Sequence, residues 1–188
     1  MSIGTSVATG YYTGCSLHLM DHAGLVSSGI DFGDFYFFSD KTQLCNHPDF
    51  QTSDHVPQSE CEALVALYTG TNGDAWTNTG SWFGTTDVEQ WFGVRTTVYS
   101  GQRHVDGLFL HKSTGADIHD ADHPELWVGN NLVGTLPDVF ADLPYLHDLN
   151  ISKNPLSGAL PASITSLDRL DTFSAKDAGL SGELPSNL

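Results

Sequence analysis

Basic residues are scarce in this chain. Seven Lys and Arg stand against 23 Asp and Glu, a formal charge of −16. Nucleic acid and anionic lipid are gripped by clustered cations that release counterions, so a surface this acidic repels both. Nucleic-acid binding is excluded on that ground, and cationic partners, divalent ions or salty surroundings suit the chain better. Long apolar runs are missing too. No stretch approaches the ~18–20 apolar residues that span a bilayer, so direct membrane insertion is not expected. The opening residues, MSIGTSVATGYYTGCSLHLMDHAG, lack the basic start and continuous apolar core of a signal peptide. The expectation is a chain already processed or a piece of a longer one. Cysteine is rare: Cys15, Cys45 and Cys61 show no CxxC pair and no zinc-finger spacing, and one disulfide plus one remaining thiol is the simplest arithmetic. Nucleophile elbow, phosphate-binding glycine loop and zinc-protease helix are all lacking, so no enzyme is expected.

What the chain does have is 39% hydrophobic residues, enough for a packed core, and an internal repeat. Residues 149–161, LNISKNPLSGALP, match residues 173–185, FSAKDAGLSGELP, and residues 125–137, ELWVGNNLVGTLP, at a step of 24. Columns repeat as Leu132/Leu156/Leu180, Gly134/Gly158/Gly182 and Leu136-Pro137/Leu160-Pro161/Leu184-Pro185, followed by Phe140/Ile164/Leu188, Leu143/Leu167 and Leu146/Leu170. Leu149 and Ile151 alternate, so a short strand points both inward while Asn150 and Ser152 face out. Asn154 falls where the chain leaves that strand, where a buried amide satisfies backbone groups that the turn leaves unpaired. Gly158 permits a tight bend and Leu160-Pro161 begins the return. Each coil buries four or five aliphatic side chains, worth roughly 1.5–3 kcal/mol apiece. No coil buries its faces alone, so the coils stack.

The pattern LxxLxLxxNxLxGxLP resembles the 24-residue class of leucine-rich repeats of plant receptors and of bacterial and algal surface proteins, over about residues 105–188. It departs at Ala178, where Asn154 would recur, and at Glu125, where Leu149 would. In that repeat Trp127 is the favoured inward residue, with Leu126 and Val128 the alternative. The resemblance implies an α/β solenoid: a right-handed leucine-rich-repeat coil with short parallel strands on a concave face, a helical N-terminal cap and a small β-containing leader. The domains expected are a leader over 1–58, a cap over 59–104 and about three to four coils over 105–188, the last incomplete.

The cap reading rests on SECEALVALYTGTNGDAWTNTGSWFG. Ser59 and Glu62 match a capping box, Cys61, Leu64, Val65 and Tyr68 share a helical face, and Gly70 ends the helix. Ala63-Leu64, Leu67-Tyr68, Thr71, Gly73, Trp76 and Trp82 resemble the N-terminal cap of bacterial leucine-rich-repeat proteins, and Trp91, Gly93 and Val94 resemble its WxGV element. Cysteines bracket that element in many relatives but not here, so Trp76, Trp82, Trp91 and Phe92 are expected to pack the cap. Cys45 and Cys61 flank the start of the cap and are the candidate disulfide. VDGLFL (105–110) is expected to begin the solenoid with Leu108 and Leu110 inward, and 111–125 to form a surface loop or irregular coil. In the leader, alternation at Ile30, Phe32, Phe35 and Phe37 suggests one or two strands, a hairpin covering the cap.

Two groups of residues are candidates for function. His111, Asp117, His119, Asp120, Asp122 and His123 crowd one segment whose imidazoles and carboxylates suit a divalent ion such as Ca2+, although their spacing fits no standard motif and a solvated acidic loop is the competing reading. The outward columns of the strands name a ligand face: Phe109, His123, Leu126, Val128, His147, Asp148, Asn150, Ser152, Asp171, Thr172, Ser174 and Lys176. That mixture suits a protein or carbohydrate ligand, against an ordinary solvated sheet face for each residue singly. A regular Thr ladder, as ice binding wants, is not supplied by Leu126/Asn150/Ser174. Asn150-Ile151-Ser152 is a formal N-glycosylation acceptor. The expected function is an extracellular or cell-surface recognition or adhesion module. The alternative is a structural subunit of a fibre or surface layer, binding copies of itself.

Overall fold

A computed structural model describes residues 41–113 and 127–185, together with 20–21 and 24–25. The short strands β1 (Met20–Asp21) and β2 (Gly24–Leu25) pair antiparallel. The expected alternation at Ile30–Phe37 lies outside the described residues.

Helix α1 (Gln58–Gly70) follows two turns of 3-10 helix and ends where Gly70 was expected to end it. Ser59 is not its cap. Pro57, extended at φ −54° and ψ 150°, already holds that position, so the helix starts two residues before the capping box allows. Burial wraps nearly the whole helix rather than one face, taking in Glu60, Cys61, Ala63, Leu64, Val65, Leu67 and Tyr68. Cys61 is disulfide-bonded to Cys45, and both are fully buried.

The aromatic residues beyond the helix pack as the sequence implies. Trp76, Trp82 and Trp91 are buried in a cluster with Tyr68 and Phe83, with ring centroids 4.8–6.0 Å apart. Each indole N–H donates to a backbone carbonyl: Trp76 to Thr71, Trp82 to Phe92 and Trp91 to Thr85. With ring faces packed and polar edges satisfied, these tryptophans are core.

Strands β3 (Val94–Tyr99) and β4 (Gln102–Phe109) form an antiparallel hairpin with a bulge opposite Arg95/Thr96. Beside β4 runs β8 (Asp148–Asn150), and beside that β10 (Thr172–Ser174), both parallel, in the order β10-β8-β4-β3. Leu149 sits opposite Phe173, a step of 24, but opposite Leu108 on the other side, a step of 41. The strand expected near Glu125 and Trp127 is therefore absent from this sheet. Its place belongs to VDGLFL, whose Leu108 and Leu110 are fully buried like Leu149 and Ile151. The chain in between leaves the coil as β5 (His111–Ser113) and returns as β6 (Trp127–Gly129), paired antiparallel. So the segment expected to be a loop from residue 111 opens and closes as a hairpin, and rejoins the repeat at Asn130.

From there the coils run in step. Short strands β7 (Gly134–Thr135) and β9 (Leu156–Ser157) pair in parallel. Gly134, Gly158 and Gly182 take φ of +112°, +76° and +94°, the left-handed bend for which this column keeps glycine. On the opposite side, 3-10 turns at Phe140–Asp142 and Ala162–Ser166 stack, with Phe140, Leu143, Leu146, Ile164 and Leu167 buried.

A ladder of buried asparagines ties the coils together. Asn154 Nδ2 donates to the carbonyls of Leu110, Ile151 and Ser152, while its Oδ1 accepts from the amides of Asn130 and Leu132. Asn130 repeats the device against the cap, accepting from the Asn78 amide and donating to the Asn78 carbonyl. The buried amide at the strand exit thus does the work its position in the repeat implies.

Candidate ligand-binding face

The sheet β3-β4-β8-β10 has one face turned to the core and one turned away from it. The bulge places Asp106 on the outward side, where its carboxylate accepts from Arg95 Nε at 2.8 Å and from the Thr97 hydroxyl at 2.7 Å. Arg95 Nη2 donates to Asp148 Oδ2 at 2.6 Å, joining β3 to β8 across β4, and its guanidinium lies 5.3 Å from the Phe109 ring centroid. Burial alone would disfavour the Arg95 charge, but the bonds to Asp106 and Asp148 outweigh it and hold its pKa above the usual guanidinium value.

This network changes the expected face. Phe109 is buried beneath Arg95. Asn150 is buried, with Oδ1 accepting from the Ser152 amide, so the N-glycosylation candidate is enclosed in the folded coil. Ser152 is fully buried, its hydroxyl bonded to that of Ser174 and accepting from the Lys176 amide. Outward-pointing positions on inner strands are roofed by neighbouring side chains, which alternation alone does not reveal. Val128 is exposed, but on β6, outside the sheet. His123 and Leu126 lie outside the described residues. What the structure does bring together is His147, Asp148 and Ser174, half-buried, beside Asp171, Thr172 and Lys176, exposed.

Of the metal candidates, Asp117, His119, Asp120, Asp122 and His123 lie outside the described residues, and His111 is fully buried on β5. Among the described residues no group of three or more His, Cys, Asp or Glu is arranged to hold a metal ion.

One part of the face is not legible in the sequence. At the end of the sheet where β8 begins, Tyr99 and Tyr145 stack at 4.8 Å between centroids, His104 stacks under Tyr145 at 3.8 Å, and His147 lies parallel to Tyr99 at 6.2 Å. The Arg169 guanidinium lies over both tyrosines, 5.6 and 5.0 Å from their centroids. Two carboxylates hold the histidines: Asp171 accepts at His147 Nδ1 (2.8 Å), and buried Glu60 meets His104 Nδ1 at 2.5 Å while taking the Val105 amide on its other oxygen. Burial pushes the Glu60 carboxyl above the usual carboxylate range, against the lowering effect of those two bonds. These residues come from four separate segments, so no local motif announces them.

No protein-family model and no curated protein sequence matches the chain. Solved structures do. The LRR ectodomain of the receptor kinase SOBIR1 from Arabidopsis thaliana is 20% identical, over 65% of this chain and 55% of that one, with a TM-score of 0.43. The BIR2 ectodomain from the same plant is 22% identical, over 65% and 57%, with a TM-score of 0.44. A plant ice-binding protein is 20% identical, over 60% and 38%, with a TM-score of 0.37. The chain spans a little over half the length of the two ectodomains. By its own geometry, parallel strands at a 24-residue step, a buried asparagine at the strand exit and a left-handed glycine in each coil, it is a leucine-rich-repeat-like solenoid.

Proposed function

We propose that the chain is an extracellular recognition or adhesion module of the 24-residue repeat class, without enzymatic activity, that takes a protein or glycan ligand on the outward face of its sheet. The observation that carries this reading is the exposed row Asp171, Thr172 and Lys176 beside half-buried His147 and Asp148, spanning two coils joined by the parallel pairing of β8 and β10. Solenoids present such faces as extended binding surfaces. The buried Cys45–Cys61 disulfide suits an oxidising compartment, and among the described residues no helix is long and apolar enough to cross a membrane.

The test is a screen of the purified chain against glycan and protein arrays, with Thr172→Arg as the control. A ligand lost at least tenfold in Thr172→Arg, from a chain monomeric by light scattering, supports the reading. Concentration-dependent polymers that bind no array component overturn it in favour of a structural subunit.

A further inference from the structure

In an acidic molecule, a cation that has no carboxylate is informative. Arg95 is held by Asp106 and Asp148, and Arg103 by Glu89. Arg169 is exposed and, among the described residues, lies within ion-pairing distance of no carboxylate. Instead it rests on the rings of Tyr99 and Tyr145. That placement matters in two ways. The rings hold the guanidinium in one place, lowering the entropy lost when it is used, and stacking occupies its flat face while leaving its edge of N–H donors unspent. Around it the tyrosine ring faces are taken up by one another and by the histidines, so polar edges are what remain for a ligand. Such a site suits a planar or tetrahedral group rich in acceptor oxygens.

We propose that Arg169, backed by Tyr99 and Tyr145 and flanked by His147, is an anion anchor, and that the ligand of the sheet face carries an oxyanion that Arg169 grips through its N–H edge. This rests on the recognition reading above and narrows it. The net charge of −16 sets the scale: a polyanion is repelled at long range, whereas a single oxyanion seated on the guanidinium gains its close-range attraction, offset in part by Asp171, which is tied to His147. The ligand is therefore one with an isolated carboxylate or sulfate rather than a densely charged polymer. A uronate sugar and a peptide carboxylate share this chemistry.

The Arg Nε–Hε resonances, followed by NMR, test it. The probes are acetate, methyl galacturonide with its neutral methyl galactoside counterpart, and an acetylated tripeptide acid with its amide. The expected result is a saturable shift at Arg169, with Arg95 and Arg103 unmoved as internal controls, and at least tenfold tighter binding of one acid than of its neutral counterpart. The acid that binds identifies the source. Arg169→Gln, at an exposed site with Trp fluorescence to confirm folding, abolishes the preference for the acid. An Arg169 signal that moves no more than those of Arg95 and Arg103, or acid and neutral forms that bind alike, overturns the proposal. A ligand lost in Thr172→Arg but kept in Arg169→Gln overturns the anchor alone and leaves the recognition face standing.

Discussion

Removing the Asn154 side chain amide is the most direct test of how the coils are held. Asn154 is almost fully buried and makes five hydrogen bonds, to three carbonyls and from two amides. Asn154→Ala leaves the Asn130 and Leu132 amides inside the coil with no acceptor, and the Leu110 carbonyl loses a donor. Each stranded buried group costs about 1–3 kcal/mol. The carbonyls retain a second lone pair, so the two amides set the lower bound, and the expected loss is roughly 3–5 kcal/mol. With a urea slope of about 1–3 kcal/mol/M, the unfolding midpoint falls by roughly 2 M. Ser157→Ala is the control. It removes one exposed bond, Oγ to the Gly134 carbonyl, at a residue with ordinary backbone, and costs less than about 1 kcal/mol. Asn154→Asp separates the two halves of the device. It keeps an acceptor for the two amides but sets a carboxylate against three carbonyls, so it too destabilises. An Asn154→Ala loss below about 1 kcal/mol would refute the ladder, since it would mean that water or repacking satisfies those amides.

Three further outcomes follow from the cap and its joint with the coils. Glu60, raised by burial, binds more protons folded than unfolded, so it contributes stability below its unfolded value near 4.5 that is lost as pH rises through its folded value. Glu60→Gln should flatten that part of the pH–stability curve, read by urea unfolding from pH 4.5 to 7.5, and parallel curves for the two proteins would contradict it. Replacing both Cys45 and Cys61 by Ser opens a loop with a sequence separation of 16 and should cost about 3 kcal/mol, seen as the same loss when the native chain is reduced. Gly93 sits at φ +81°, and a β-carbon there would press on the Phe109 carbonyl. Gly93→Ala should therefore cost more than the ~1 kcal/mol of a left-handed residue alone, and a neutral result in thermal melts would mean the hairpin start can shift.

The sequence reveals whatever depends on periodicity. The glycine column, the buried leucines and Asn154 all recur at one step, because each coil solves the same burial problem as its neighbour. Trp76, Trp82 and Trp91 are legible for another reason: rings that large have few places to go but the core. The strand expected near Trp127 shows where periodicity misleads. Residues 125–137 match the repeat at its second half, Asn130 and Leu132, whereas Trp127, upstream of them, pairs with β5 instead of joining the sheet. Only pairing across the sheet, Leu108 beside Leu149, shows that the first half is supplied from upstream of a hairpin. Likewise Ser59 and Glu62 have the spacing of a capping box, but the backbone of Pro57 had already fixed the start of the helix.

The candidate site is legible in the sequence only in its most exposed part, and the reason bears on where a ligand of the proposed kind would bind. Alternation says which side of a strand a residue takes, but not what lies above it. On β4 and just past β8 outward residues are covered: Phe109 by Arg95, and Ser152 by contacts with Ser174 and Lys176. Arg95 and Ser152 spend their hydrogen bonds on holding neighbouring strands together, so a ligand would have to break those bonds to use these groups, at a cost of about 1–3 kcal/mol for each group left unpaired. Toward β10 and the end of the sheet where Tyr99, Tyr145 and Arg169 meet, no strand of the described chain lies beyond, and side chains such as Asp171, Thr172 and Arg169 keep donors and acceptors facing water. A ligand gains most where the protein has spent least. On the proposed recognition reading a ligand would sit at this margin of the sheet rather than over its middle, and Arg169 and Thr172 would be more sensitive positions for binding than the central residues Phe109, Asn150 and Ser152, whose substitution should first lower stability.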